Sequence, residues 1–266
     1  MRTKKLGRTG EEIPAIGQGT WKMGHEMAAD ILALKAGIEA GMRFIDTAEM
    51  YGSEPVVREA ALGEDVFIAT KVSPSHFSHD AVIKACDQSL KKLGVKRIDL
   101  YQLHWPNPSI PIEETMGAME ELVSDGKIRY IGISNFSVDQ TIEAQHALKS
   151  NEIVSNQVEY NLLSRGIEDE LLDYCRKEGI TLIAYSPFAR GEMFDGRYKA
   201  QLGLLAEIGN KYGVTPAQVA LNWLISKAPV VAIPKAASRD HAMENAAAAG
   251  FELTKNEVDR IGSAFE

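Results

Sequence analysis

FIDTAEMY (44–51), VFIATK (66–71) and IDLYQLH (98–104) are short apolar runs, each closing on groups that can do chemistry: a carboxylate and a phenol, an ammonium, an imidazole. Runs of this length that end in polar residues read as strands, and HDAVIKACDQSLKKLG (79–94), between the second and third, has the apolar period of a helix. The unit is therefore βα, and it repeats in both directions. Candidate strands are Ile16–Thr20, Phe44–Thr47, Val66–Lys71, Ile98–His104, Ile128–Ser134, Val154–Glu159, Thr181–Ser186 and Val230–Pro234. Helical stretches between them include 28–41, 79–94, 111–126, 137–150 and 167–179. Ser137 with an amide three residues on marks one helix start, and Gly41, Gly94, Gly126 and Gly179 mark helix ends. Eight βα units in about 250 residues predict an α/β fold of the closed (β/α)8 TIM-barrel type, because an open doubly wound sheet of that size would carry fewer strands. GQGTWKMG (17–24) echoes a dinucleotide-binding turn, but its glycine spacing is wrong and no helix opens directly behind it.

No linker or compositional break interrupts the alternation, so residues 1–266 read as one domain. Residues 1–15 form an N-terminal hairpin turning at Arg8–Gly10, placed to plug the barrel bottom, and 252–266 a C-terminal helix starting after Thr254. An apolar content of 45% with 25% charged residues fits an ordinary globule, and the net charge of −8 argues against nucleic acid or an anionic membrane as partner. No run approaches the roughly 20 apolar residues of a membrane span, and the N-terminus lacks a signal core, so a cytoplasmic protein is expected. Cys86 and Cys175 lie inside amphipathic patterns and read as buried free thiols. Without a large apolar stripe outside the expected core, a monomer is the expected state.

Barrel enzymes build their sites at the carboxyl ends of the strands. This chain puts there Thr20 and Trp21, Asp46 with Tyr51 shortly behind, Lys71, His104 and Trp105, Ser134 and Asn135, Gln157, Tyr185 and Ser186, and Pro234 with Lys235. Any one of them has a bland structural explanation; their meeting on successive strands points to a site. A carboxylate, an ammonium and an imidazole around a phenol are the groups that can make tyrosine a general acid.

In these residues the chain resembles the aldo-keto reductase family. The resemblance runs through GQGTW, FIDTAEMYG (44–52), ATK (69–71), DLYQLHWP (99–106), GKIRYIGISNF (126–136), NQVEYN (156–161), IAYSPFARG (183–191), TPAQVALNW (215–223) and IPKAASRDHAMEN (233–245). It implies a catalytic tetrad of Asp46, Tyr51, Lys71 and His104, and NADPH/NADP+ bound across the barrel mouth without a Rossmann domain. It also implies Ser134, Asn135 and Gln157 around the nicotinamide carboxamide and Tyr185 stacked beneath the ring. Ser186, Lys235, Ser238 and Asn245 would lie toward the phosphates and adenosine. Family members committed to NADPH follow the lysine of IPK with Ser or Thr and carry Arg six residues beyond it. Here those positions hold Ala236 and His241, with Arg239 nearby, so NADPH is expected to be preferred and NADH to be usable.

The expected reaction is hydride transfer to the carbonyl carbon of a small-molecule aldehyde or ketone, with Tyr51 protonating the oxygen. Lys71, paired with Asp46, is expected to lower the Tyr51 pKa, and His104 to orient the carbonyl. Two other classes remain open: a Schiff-base aldolase acting through Lys71, and a non-enzymatic cofactor-binding subunit of the kind related barrels provide to ion channels. Trp21, Trp105 and Phe188, with Met193 beside them, are expected to wall the substrate pocket. An apolar pocket without a second cation would favour aromatic or medium-length aliphatic aldehydes over charged sugars.

Overall fold

Interior and exterior separate by the two-residue period of the strands. Phe44 and Asp46, Ala69 and Lys71, and Leu100 and Gln102 are spaced so that each pair points to the same face. The computed structural model, which describes residues 1–266, makes that face the inside of a barrel. Its strands are β3 (Gln18–Gly19), β4 (Phe44–Asp46), β5 (Phe67–Val72), β6 (Ile98–Leu103), β7 (Ile128–Ser134), β8 (Ile153–Glu159), β9 (Thr181–Tyr185) and β10 (Val230–Ala232). All pair parallel with their sequence neighbours, with Asp46 opposite Ala69 and Lys71 opposite Gln102. The ring closes between β10 and β3 through Gly17 N–H to the Ala232 carbonyl (2.8 Å), Ala232 N–H to Ala15 (3.0 Å) and Gly19 N–H to Pro234 (3.1 Å). Glycine is required at this seam, since a Cβ on Gly19 would lie 2.7 Å from the Ile233 carbonyl oxygen.

The sequence expectation of a (β/α)8 barrel holds. Around the ring run α1 (Met27–Glu39), α2 (Glu54–Ala61), α3 (His79–Leu93), α4 (Ile112–Ser124), α5 (Val138–Ala147), α6 (Leu171–Glu178), α7 (Lys199–Tyr212), α8 (Pro216–Ser226) and α9 (Arg239–Ala247), with α10 (Lys255–Ala264) last. Two helices, α7 and α8, follow β9; α8 packs on β10, and α7 and α10 pack on α8 from outside. Capping boxes at Ser137, Thr215 and Thr254 start α5, α8 and α10.

The N-terminal hairpin, β1 (Thr3–Lys5) with β2 (Glu12–Pro14), closes the barrel bottom. Its Leu6 and Ile13 are fully buried in one cluster with the interior residues Phe44, Ala69, Leu100, Val154, Ile183 and Val231. Each such side chain contributes on the order of 2 kcal/mol by leaving water. With the bottom filled by apolar side chains, the polar interior layer lies above it, at the carboxyl ends. Cys86 and Cys175 are buried free thiols, and burial pushes both up to about 12. No helix is long and apolar enough to cross a membrane.

Candidate active site

The centre of the upper layer is an ion pair. Lys71 Nζ, fully buried, donates to Asp46 Oδ1 at 2.5 Å and to the Thr47 carbonyl at 2.8 Å. The second oxygen of Asp46 accepts from Gln157 Nε2 at 2.8 Å and from Gln102 Nε2 at 3.1 Å. Two charges this deep are tolerable only because each is paired and further hydrogen-bonded. Gln102 does not figure in the sequence reading. Its signal was there, however: it lies two residues before His104, on the same inward face, in a strand whose other inward positions carry Leu100 and His104.

Tyr51 stands over this pair, with Lys71 Nζ 5.0 Å from the centre of its ring and its hydroxyl 3.2 Å from His104 Nε2. The expected fall in the Tyr51 pKa is not the net result. Burial penalises phenolate most and Asp46 adds to it, so the phenol sits above its ordinary value even though the Lys71 charge pulls it down. Tyr51 is thus protonated at neutral pH, and the Lys71 charge would lower the cost of a phenolate at this position. His104 is held down to about 3, chiefly by burial and then by the Lys71 charge, and is a neutral imidazole. Its Nδ1 is buried without a partner. Leaving a lone pair there costs less than leaving an N–H, which favours the proton on Nε2, facing Tyr51.

The groups read as cofactor contacts fall into two sets. Ser134, Asn135, Gln157, Tyr185, Ser186 and Lys235 line the same cavity of about 560 Å³ as Asp46, Tyr51 and His104, with Lys71 buried behind it. Within it Tyr185 Oη donates to Asn135 Oδ1 (2.9 Å), Asn135 Nδ2 donates to Ser134 Oγ (3.0 Å), and Ser134 Oγ donates to the Gln157 carbonyl (2.8 Å). Gln157 Nε2 is committed to Asp46, so its side-chain oxygen is the group left to meet a ligand. Asn135 at φ 65 and Ser186 at φ 49 hold left-handed backbone, a strain that gathers at functional sites. The Tyr185 phenol is pushed up to about 12 by burial and by Glu159. The second set lies outside this lining, on the segment after Lys235. Ser238 caps α9, accepting from the His241 N–H, Arg239 is ion-paired to Glu39 at 3.4 Å on the surface, His241 is exposed and Asn245 is buried.

Comparison with known proteins decides the family. The family model described as "Aldo/keto reductase family" matches residues 15–266. The chain belongs to the aldo/keto reductase family. It is 41% identical to methylglyoxal reductase YeaE of Escherichia coli K12, over 100% of this chain and 96% of that protein. It is 37% identical to glyoxal reductase of Bacillus subtilis 168, over 97% and 91%. The thermostable aldo-keto reductase Tm1743, crystallised with epalrestat, superposes with a TM-score of 0.93 at 41% identity, covering 99% and 100% of the two chains. An aldo-keto reductase from Klebsiella pneumoniae in complex with NADPH gives 0.92 at 37% identity, covering 100% and 96%. The protein is accordingly an NAD(P)H-dependent carbonyl oxidoreductase.

The mouth of this reductase differs from the sequence expectation in two respects. Trp21, Trp105 and Phe188 line it, but Met193 is fully buried in the core, and its neighbour Phe194 takes the rim position, 5.7 Å from the Phe188 ring. Nor is the wall purely apolar. Lys22 and Arg190 also line the cavity, and their cations lie 4.5 Å and 5.5 Å from the Trp21 ring. Arg190 follows from a left-handed turn at Ala189–Gly191 that no periodicity announces. With Lys235, three cations rim a cavity whose one carboxylate, Asp46, is already neutralised by Lys71.

Proposed function

We propose that this reductase converts aldehydes to alcohols with NADPH as preferred electron donor, 2-oxoaldehydes such as methylglyoxal and glyoxal among its substrates. The observation that carries this reading is one phenol, Tyr51, lying against both a neutral imidazole and a buried Lys71–Asp46 pair at the floor of a cavity large enough for ligands. Two relatives named for methylglyoxal and glyoxal support the substrate class.

The cavity fits a dinucleotide in its donor set. Three rim cations suit a polyanion on a protein of net charge −8, and Tyr185 offers a half-exposed ring in the lining. Ser134, Asn135 and the Gln157 side-chain oxygen would hold the carboxamide; Ser186 and Lys235 would hold phosphate, with Ser238, Arg239, His241 and Asn245 toward the adenosine. When bound, the nicotinamide supplies the hydride. Tyr51 gives its proton to the carbonyl oxygen of the substrate, and His104, donating from Nε2, holds that oxygen toward Tyr51. Lys71 stabilises the phenolate left behind until solvent reprotonates it, and Asp46, with Gln102 and Gln157, fixes the ammonium. Trp21 and Trp105, both exposed at the rim, would contact the rest of the substrate.

Lys71 argues against a Schiff-base aldolase: its amine is committed to Asp46 and the Thr47 carbonyl, whereas a nucleophilic lysine needs a free lone pair. Lys235 and Arg239 support NADPH, and His241 and Ala236 in place of the family's arginine and hydroxyl support use of NADH as well. Loss of nicotinamide absorbance on mixing enzyme, NADPH and a panel including methylglyoxal and an aromatic aldehyde is the test. No consumption of NADPH with any of them, or substrate trapped on Lys71 by borohydride, would overturn the reading.

A further inference from the structure

Tyr51 hangs on a single 3-10 turn, Glu49–Tyr51, between β4 and α2, and Gly52 behind it is left-handed at φ 71. So short a turn does not fix a phenol by itself. Ser53 occupies the N-cap of α2, a position at which serine usually accepts a backbone N–H, yet its side chain makes no such bond. Its hydroxyl lies instead 2.9 Å from Thr20 Oγ1 and 2.9 Å from Thr47 Oγ1, and all three residues are fully buried. Thr20 Oγ1 donates to the Asp46 carbonyl at 3.0 Å. A hydroxyl has one proton to give, so the direction of the whole chain follows: Thr47 donates to Ser53, Ser53 to Thr20, and Thr20 to the backbone of Asp46.

The next residue makes a second tie. Glu54 is fully buried; Oε1 accepts from Thr70 Oγ1 at 2.9 Å, and Oε2 lies 3.7 Å from Lys92 Nζ on α3. Thr47 and Thr70 are the chain neighbours of Asp46 and Lys71, and the Thr47 carbonyl also holds Lys71 Nζ. Two consecutive side chains thus connect the Tyr51 turn to the strand ends that carry both members of the ion pair. Neither residue touches the cavity.

We propose that Ser53 and Glu54 are positioning residues that hold Tyr51 in register with the Asp46–Lys71 pair through Thr20, Thr47 and Thr70. Their effect on rate rests on the reductase reading above; their effect on the turn does not. Misplacement of a reacting group by about 1 Å costs on the order of 10²-fold in rate. Ser53→Ala, which leaves the Thr47 hydroxyl without its acceptor, is expected to lower kcat by roughly 10- to 100-fold while KM and NADPH affinity stay within about threefold. Glu54→Ala should behave alike, and Glu54→Gln, which keeps the acceptor for Thr70, should recover kcat to within about fivefold of the parent.

The independent arm is amide hydrogen exchange of the full-length protein over residues 47–53, expected to quicken by about tenfold or more in Ser53→Ala with the β-strand amides unchanged. Parent-like exchange in that segment overturns the proposal. So does faster exchange with unaltered kcat, or equal loss of kcat and substrate affinity in all three variants. A parent protein that reduces no carbonyl on the panel defeats the reductase reading instead, and the exchange result still decides whether Ser53 anchors the turn.

Discussion

The buried imidazole of His104 makes the enzyme acid-sensitive by an amount that can be worked out. Its folded pKa of about 3 lies below the 6.5 of an unhindered histidine, because burial and the Lys71 charge both oppose a second proton. As pH falls the unfolded chain takes up the proton first, so the contribution to stability is complete above about 6.5 and is lost progressively toward about 3. Each pH unit in that window is worth about 1.4 kcal/mol, so two units remove roughly 2–3 kcal/mol. His104→Gln keeps an amide donor near Tyr51 and abolishes the titration. Urea unfolding of parent and variant at about pH 7 and about pH 4.5 isolates the term, since the carboxylates they share titrate alike. The parent should lose about 2–3 kcal/mol more than the variant between these conditions. A difference between the two proteins that does not change with pH would show that His104 is not held neutral by burial, as would a step in the parent's turnover near the ordinary pKa of histidine.

Three further outcomes follow from the same geometry. Lys71→Met leaves the Asp46 carboxylate buried with only two amide donors and should cost about 3–5 kcal/mol in thermal or urea unfolding; adding Asp46→Leu should restore stability without restoring turnover. Lys235→Ala should weaken NADPH binding by about 1.5–3 kcal/mol in a fluorescence titration and NADH far less, and equal loss for both would move Lys235 off the 2′-phosphate. Trp21→Ala and Trp105→Ala should raise KM for an aromatic aldehyde more than for methylglyoxal, and a uniform effect on both substrates would remove the indoles from the substrate wall.

The barrel was legible because alternation of two periods is enough to announce it, and the eight strands fall where the apolar runs put them. The edges moved for physical reasons. Only Gln18–Gly19 of the run Ile16–Thr20 is regular strand, the rest of that seam pairing with β10 through isolated bonds around Ala15, Gly17 and Ala232. Asp46, Tyr51, Lys71 and His104, which the structure brings together, were legible as polar residues at or just behind strand ends. Gln102 carried only a weaker signal, an inward position two residues before His104, and it meets Asp46 because β4 and β6 curve inward on either side of β5; Lys22 and Arg190 carried none, reaching the mouth through left-handed loop backbone. Met193, expected beside the pocket, is buried, and Phe194 lines the mouth instead, because which of two neighbouring loop residues turns inward depends on the fold of that loop, which carries no period. The upward shift of Tyr51 was invisible for a further reason: a sequence shows which charges are near, but the penalty of burial depends on how completely the site closes over them.

The reaction proposed for this site turns on Tyr51 as proton donor. Tyr51→Phe removes one oxygen and no part of the proposed nucleotide contacts, so it separates chemistry from binding. With methylglyoxal and NADPH at saturation, the variant should turn over roughly 10²-fold or more slowly than the parent, with NADPH affinity unchanged within a few-fold. Near-parental kcat in that variant would mean that another group delivers the proton.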